Sequence, residues 1–279
     1  MPAQAAPGPR FQPQVTLPPN TLKAALAEGR RRIGLWSTLC SNVVAEVLAY
    51  AGYDWIVVDT EHAPAAPLDV LAQLQGLAAG TAEPVVRVAW NDAVLLKRLL
   101  DIGARSLLIP FVETAEEARR AVAATRYPPE GVRGVSVGHR ANRFGRVAGY
   151  AQAAHAAICV LVQLETATAL TNLEAIAAVE GVDGLFIGPS DLAAALGHLG
   201  DAAHPAVQDS IADACARIRA AGKPAGILAP VEADARRYFA MGFTFVAIGS
   251  DLGILAAGST ALAARMREAI GEPYTGPAV

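Results

Sequence analysis

Two carboxylates stand at the ends of two apolar runs of strand length. The first run, Cys159-Val160-Leu161-Val162-Gln163-Leu164, ends in Glu165. The second, Gly184-Leu185-Phe186-Ile187, leads through Gly188-Pro189-Ser190 to Asp191, where a helix should start. Side chains alternate along a strand, so Leu161, Gln163 and Glu165 share one face. A hard divalent cation such as Mg²⁺ takes one or two carboxylates and fills its other positions with water and substrate. Taken singly, Glu165 reads as a rim charge and Asp191 as a helix N-cap. As a pair at the same end of neighbouring strands they predict a metal site.

Other polar residues gather at strand ends. The run Asp59-Thr60-Glu61-His62 follows one apolar segment directly, and Arg87 stands between Val86 and Val88 in another. An arginine inside an apolar strand needs a partner or a bound anion, because an unpaired buried charge is very costly. Of the five histidines only His62 adjoins a strand end; His139, His155, His198 and His204 fall in helical or loop stretches. Its bland alternative is a satisfied rim histidine. Two carboxylates, one arginine and one histidine suit chemistry on an α-keto acid. The metal holds the keto and carboxylate oxygens, Arg87 neutralises developing enolate charge and His62 moves the proton.

These residues need a scaffold that brings strand ends together. Strand-length runs fall at 33–38, 55–59, 85–89, 106–110, 158–165, 184–187, 225–228 and 245–249. Amphipathic, Ala-rich helical segments lie between most of them, with Thr114 and Glu117 forming a capping box. Gly52, Gly103, Gly222 and Gly242 stand where a helix must end with positive φ before the next strand. The alternation predicts an α/β fold with a parallel sheet, and eight units predict a single-domain (β/α)₈ TIM barrel over 21–279. Residues 1–20, proline-rich and without an apolar core, read as a flexible leader. Long segments at 127–157 and 192–205 decorate the barrel.

A barrel places its active site at the C-terminal strand ends. None of the three lysines falls there: Lys23 precedes the barrel, Lys97 is mid-helix and Lys223 precedes the seventh strand. Schiff-base chemistry is therefore disfavoured. There is no H-E-x-x-H and no cysteine–histidine pair at ligand spacing. Net charge is -3, with no basic run beyond Arg30-Arg31-Arg32, so nucleic acid is not an expected partner. No apolar stretch approaches the ~18 residues of a membrane span. Three scattered cysteines suit a reducing, cytoplasmic compartment.

The chain resembles the HpcH/HpaI family of class II, metal-dependent pyruvate aldolases. The resemblance rests on Gly34-Leu35-Trp36, Asp59-Thr60-Glu61-His62-Ala63-Pro64, Pro84-Val85-Val86-Arg87, Trp90-Asn91-Asp92 and Leu99-Leu100-Asp101-Ile102-Gly103. It continues through Val162-Gln163-Leu164-Glu165-Thr166 and Phe186-Ile187-Gly188-Pro189-Ser190-Asp191-Leu192. It implies that Glu165 and Asp191 bind Mg²⁺, Mn²⁺ or Co²⁺, that Arg87 contacts the keto or enolate oxygen, and that His62 is the base through a metal-bound water. Asp101 would orient His62, with Asp59 nearby. The N–H groups of Ser190 and Asp191 would hold the carboxylate of pyruvate, and Trp36 and Gln163 would line the substrate pocket. It further implies a homo-oligomer, a hexamer with its C-terminal helix exchanged between barrels.

The activity implied is reversible cleavage of a 4-hydroxy-2-oxo acid to pyruvate and an aldehyde. The run Asp59-Thr60-Glu61-His62 departs from the family's D-G-E-H, and the stretch 134–145 also differs. There Arg140 or Arg143 would meet a second carboxylate or sugar hydroxyls, or else is a solvated loop arginine. Two rivals share the scaffold. An acyl-CoA ester lyase of the citrate lyase β-subunit or malyl-CoA lyase type would want a basic CoA surface, which the sequence does not display. A catalytically silent barrel would be expected to lose one of His62, Arg87, Glu165 and Asp191, and all four are present.

Overall fold

The computed structural model describes residues 16–273. Eight parallel strands close into a barrel in sequence order: β1 (Arg32–Ser37), β2 (Trp55–Asp59), β3 (Glu83–Arg87), β4 (Ser106–Ile109), β5 (Cys159–Leu164), β6 (Gly184–Ile187), β7 (Ala225–Leu228) and β8 (Phe245–Ser250). The helices are α1 (Thr21–Ala27), α2 (Asn42–Ala49), α3 (Pro67–Leu77), α4 (Ala93–Asp101), α5 (Ala115–Thr125), α6 (Tyr150–Ala157), α7 (Ala167–Thr171) and α8 (Leu173–Ala177). They continue with α9 (Pro189–Ala195), α10 (Pro205–Ala220), α11 (Glu232–Met241) and α12 (Asp251–Ala269). The predicted barrel is therefore the observed one. The pair α7 and α8 behind β5, and α6 within the segment before it, add to the elements expected.

Period-two alternation divides each strand between two cores. Trp36, Trp55, Val57, Val85, Leu108, Cys159, Leu161, Phe186 and Phe245 fill the barrel interior. Leu35, Ile56, Val58, Val86, Val160, Val162 and Leu164 face the helices. The helices answer with apolar stripes at helical spacing, as in Leu96, Leu99 and Leu100 of α4. Continuing the inward phase of β2, β3 and β5 by one step turns Asp59, Arg87 and Gln163 into the barrel. Gly242 ends α11 at φ 116°, a conformation that costs a residue with a Cβ.

Helix α1 lies across the N-terminal mouth and adds Leu22 and Leu26 to the interior core. The expectation of a free leader through residue 20 is corrected at its end. Asn20 is buried and donates to Ser106 Oγ (2.8 Å), and Arg105 Nη1 donates to the Pro18 carbonyl (2.6 Å). The rest of the expected leader, 1–15, lies outside the described residues. No helix among the described residues is long and apolar enough to cross a membrane.

Candidate active site

Strands β2 and β3 pair in register with Asp59 opposite Arg87. Arg87 Nε and Nη2 donate to Asp59 Oδ1 (2.8 Å) and Oδ2 (2.6 Å), the bidentate fork that suits arginine to carboxylate. Its carbon Cζ lies 5.0 Å from the centre of the Trp36 ring, so Trp36 forms the floor beneath the guanidinium. Burial alone would raise the Asp59 pKa, but Arg87 and the backbone N–H groups of Glu61 and His62 hold it below the ordinary carboxylate value.

Arg87 Nη1 reaches Glu61 Oε2 at 2.8 Å as a charge contact. The alignment falls short of a hydrogen bond, so this buried oxygen has no donor among the described residues. Glu61 is pushed up to about 7, first by burial and then by Asp59 and Asp191, against the opposing pull of Arg87. Glu61 is the site residue that the sequence reading passed over. The acidic run is visible in the sequence, but not which of its side chains turns inward.

Glu165 lies just past the end of β5 and is fully enclosed. Its Oε1 accepts the Phe111 N–H (2.8 Å), and Gln163 Nε2 donates to its Oε2. Burial pushes Glu165 up to about 7; Glu61 and Asp191 add to the rise, and the two donors oppose it. Glu165 thus feels Glu61 and Asp191, and Glu61 feels Asp191. Phe111 holds its N–H toward Glu165 from a left-handed backbone at φ 49°, a feature with no signal in the sequence. Just past β6, Gly188 leaves the room Glu165 needs, because a Cβ there would overlap Glu165 Oε2 and sit 2.9 Å from Gln163 Nε2. Ser190 and Asp191 fall in the first turn of α9, where backbone N–H groups have no carbonyl partner within the helix.

The donor set fits a hard divalent cation. Glu165 and Asp191 are carboxylates at one strand-end cluster, and the buried Gln163 Oε1 and Glu61 Oε2 both lack hydrogen-bond donors among the described residues. Oxygen donors left unsatisfied beside surplus negative charge are what such an ion takes. No group of three or more histidine, cysteine or acidic residues stands at ligand geometry among the described residues, which leaves water and substrate to complete any coordination.

His62 is at the rim of the same cluster. Its side chain is 62% exposed, and Nε2 lies 4.0 Å from Glu61 Oε2. Asp101 does not meet it within this chain. Asp101 ends α4, at the N-terminal end of the barrel, where Arg133 Nη2 donates to its Oδ1 at 2.6 Å. The stretch 134–145 packs against α4 at that same end, and Arg140 Nη1 donates to the Ile102 carbonyl (2.8 Å). Neither Arg140 nor Arg143 reaches the strand-end site of its own chain. The lysines keep their exclusion: Lys23 Nζ donates to the Ile158 carbonyl and Lys223 Nζ to the Val182 carbonyl, both at the N-terminal face.

Residues 32–257 match the sequence pattern of the HpcH/HpaI aldolase/citrate lyase family. The 5-keto-4-deoxy-D-glucarate aldolase of Salmonella arizonae is 58% identical over 245 residues, covering 88% of this chain and 96% of the relative. Among solved structures, an HpcH/HpaI aldolase/citrate lyase family protein from Burkholderia cenocepacia superposes with a TM-score of 0.87 at 43% identity, covering 89% of this chain and 99% of that one. An HpcH/HpaI aldolase from Desulfitobacterium hafniense gives 0.83 at 28% identity, covering 92% and 99%. Barrel, motif order and likeness agree: the chain belongs to the HpcH/HpaI aldolase/citrate lyase family and is an aldolase.

Proposed function

We propose that this aldolase is metal-dependent and reversibly cleaves a 4-hydroxy-2-oxo acid to pyruvate and an aldehyde through the pyruvate enolate. The observation that carries the reading is the convergence of Glu61, Glu165 and Asp191 around buried, donorless oxygens, with the Arg87 guanidinium against them. Glu165 and Asp191 would hold the cation (Mg²⁺, Mn²⁺ or Co²⁺), which when bound supplies Lewis-acid polarisation of the 2-oxo group. Arg87 has five N–H donors, of which two are given to Asp59, so three, two of them on Nη1, remain for a developing enolate oxygen. The first turn of α9 offers the Ser190 and Asp191 N–H groups to the carboxylate of the oxo acid.

In cleavage, His62 takes the proton of the C4 hydroxyl as the C3–C4 bond breaks. The bonding pair passes into the enolate of pyruvate, and a proton is then returned to the methyl carbon. The name of the Salmonella relative points to 5-keto-4-deoxy-D-glucarate as the substrate. This six-carbon diacid would divide into pyruvate and a three-carbon aldehyde bearing a 2-hydroxycarboxylate. The reading includes a homo-oligomer. Leu252, Ile254, Leu255, Leu262 and Met266 leave α12 apolar and exposed along its length, which supports exchange of this helix between copies.

The test is deuterium exchange into the methyl group of pyruvate, followed by NMR in D₂O with Mg²⁺ or Mn²⁺ and again with EDTA. Exchange that requires the metal is the expected result. Absence of exchange with every metal would overturn the reading.

A further inference from the structure

A cavity of about 390 Å³ opens at the N-terminal mouth of the barrel, beside the starts of β3, β4 and β5. Glu83 and Arg105 stand on its barrel side. Arg140, Arg143 and Tyr150, from the segment that precedes β5, close the other side. Three guanidinium groups and one carboxylate therefore share this wall, at the end of the barrel away from Arg87 and Glu165.

The carboxylate is matched by one arginine. Arg105 Nη2 donates to Glu83 Oε1 (3.1 Å) and Oε2 (3.2 Å), and the Thr21 hydroxyl donates to Oε2 as well (3.1 Å). Arg140 and Arg143 have no such partner: among the described residues no carboxylate pairs with either. The half-buried Arg140 guanidinium lies against Gly103, where a Cβ would come 2.5 Å from Nη1. Nη1 donates to the Ile102 carbonyl (2.8 Å), which leaves four of its five N–H donors without an acceptor among the described residues. Burial disfavours its charge, and the neighbouring Arg143 disfavours it further, with nothing opposing. Tyr150, on the same wall, is reached by the charges of Arg133 and Arg105 too. A partly desolvated cation without a counter-charge is costly unless an anion joins it.

We propose that this cavity binds a small phosphate monoester, with Arg140 and Arg143 on the phosphoryl group and Leu74, Leu77 and Ile158 against its carbon body. Two guanidinium groups close enough to repel each other match one doubly charged head better than two separated carboxylates. A phosphoryl group carries nearly two negative charges at pH 7 on three acceptor oxygens, and the planar arginine fork pairs with it bidentately. The Arg105–Glu83 pair holds the barrel side of the cavity neutral, so the positive charge is confined to the side that Arg140 and Arg143 form. The site stands apart from the catalytic end and does not depend on the aldolase reading.

The test is isothermal titration of the full chain with glycerol 3-phosphate, in EDTA and at constant ionic strength, with glycerol and succinate as comparison ligands. Saturable binding of glycerol 3-phosphate is expected, with no binding of glycerol and about 10-fold weaker binding of succinate. Arg140→Gln and Arg143→Asn should each weaken the binding of glycerol 3-phosphate about 10-fold. Asparagine suits the left-handed backbone of position 143 (φ 55°), so this variant decides the question should Arg140→Gln fail to fold. Absence of binding by the wild-type protein would overturn the proposal. Binding that both variants keep at full strength would place the ligand elsewhere and overturn it equally. Succinate held as tightly as glycerol 3-phosphate would overturn the assignment to a phosphoryl group.

Discussion

Each end of the barrel holds an aspartate–arginine pair with a histidine close by, and the two ends differ in their charge balance. At the N-terminal end, Arg133 is entirely enclosed. Its Nη2 donates to Asp101 (2.6 Å), and its Cζ sits 4.6 Å from the centre of the Tyr127 ring. One positive and one negative charge cancel there. At the C-terminal end, Arg87 is shared between Asp59 and Glu61, Asp191 lies near enough to raise both the Glu61 and the Glu165 carboxyls, and Glu61 raises that of Glu165. Folding alone gives no reason to gather surplus like charge, because each buried, uncompensated ion is costly. The balanced pair is architecture. The unbalanced cluster is what the proposed cation site requires.

The sharpest way to break this contrast is to remove one charge from each end. Glu165→Gln keeps shape and loses charge. It is expected to cost about 10³-fold or more in kcat/KM, since it removes a donor of the proposed metal site. The metal-free melting temperature should hold or rise, because the surplus shrinks. A drop in melting temperature with activity retained would sink the assignment. Arg133→Leu should do the reverse to stability by leaving Asp101 uncompensated, at a cost of about 3 kcal/mol in urea unfolding. Adding Asp101→Asn to Arg133→Leu should recover part of that loss. No loss in the single variant would mean that the lower pair is not structural.

The contrast also explains what the sequence discloses. Period-two and helical patterning carry the barrel almost whole, because burying one face of each element leaves a periodic trace; β2, β6 and β7 begin and end where the apolar runs do. The short pair α7 and α8 escapes, since five-residue helices span too few turns to show a period. At the site, Glu165, Asp191, Arg87 and Asp59 are legible as polar residues interrupting or ending apolar strands. Glu61 is not, because its inward turn is decided by the loop after β2 and not by strand alternation. Asp101 is legible only as part of a motif. Its meeting with Arg133 depends on how the segment from 127 to 157 folds back on α4, a long-range contact with no local pattern.

The smallest expected effect lies in the histidines' surroundings. His139 is buried at the lower end. Its Nδ1 accepts the Asn142 N–H (3.3 Å), and its Nε2 lies 3.5 Å from the Tyr127 hydroxyl and 4.0 Å from Asp101 Oδ1. The Tyr150 ring stands edge-on to it at 5.2 Å. Burial lowers its pKa below the ordinary histidine value and Arg133 lowers it further, while Asp101 opposes both. The unfolded chain therefore binds a proton as pH falls past about 6.5, before the folded chain does. Stability present above that value is lost as pH falls, until the folded His139 is itself protonated. His139→Gln should reduce the slope of unfolding free energy against pH in that window by at most about 1.4 kcal/mol per pH unit, one proton's worth. Urea titrations of both proteins between pH 7.5 and pH 5, on the order of one unit either side of the window, would measure it. Parallel curves would mean that His139 takes its proton as readily folded as unfolded. The lower cluster would then be open to water, and its difference from the catalytic end would reduce to charge balance alone.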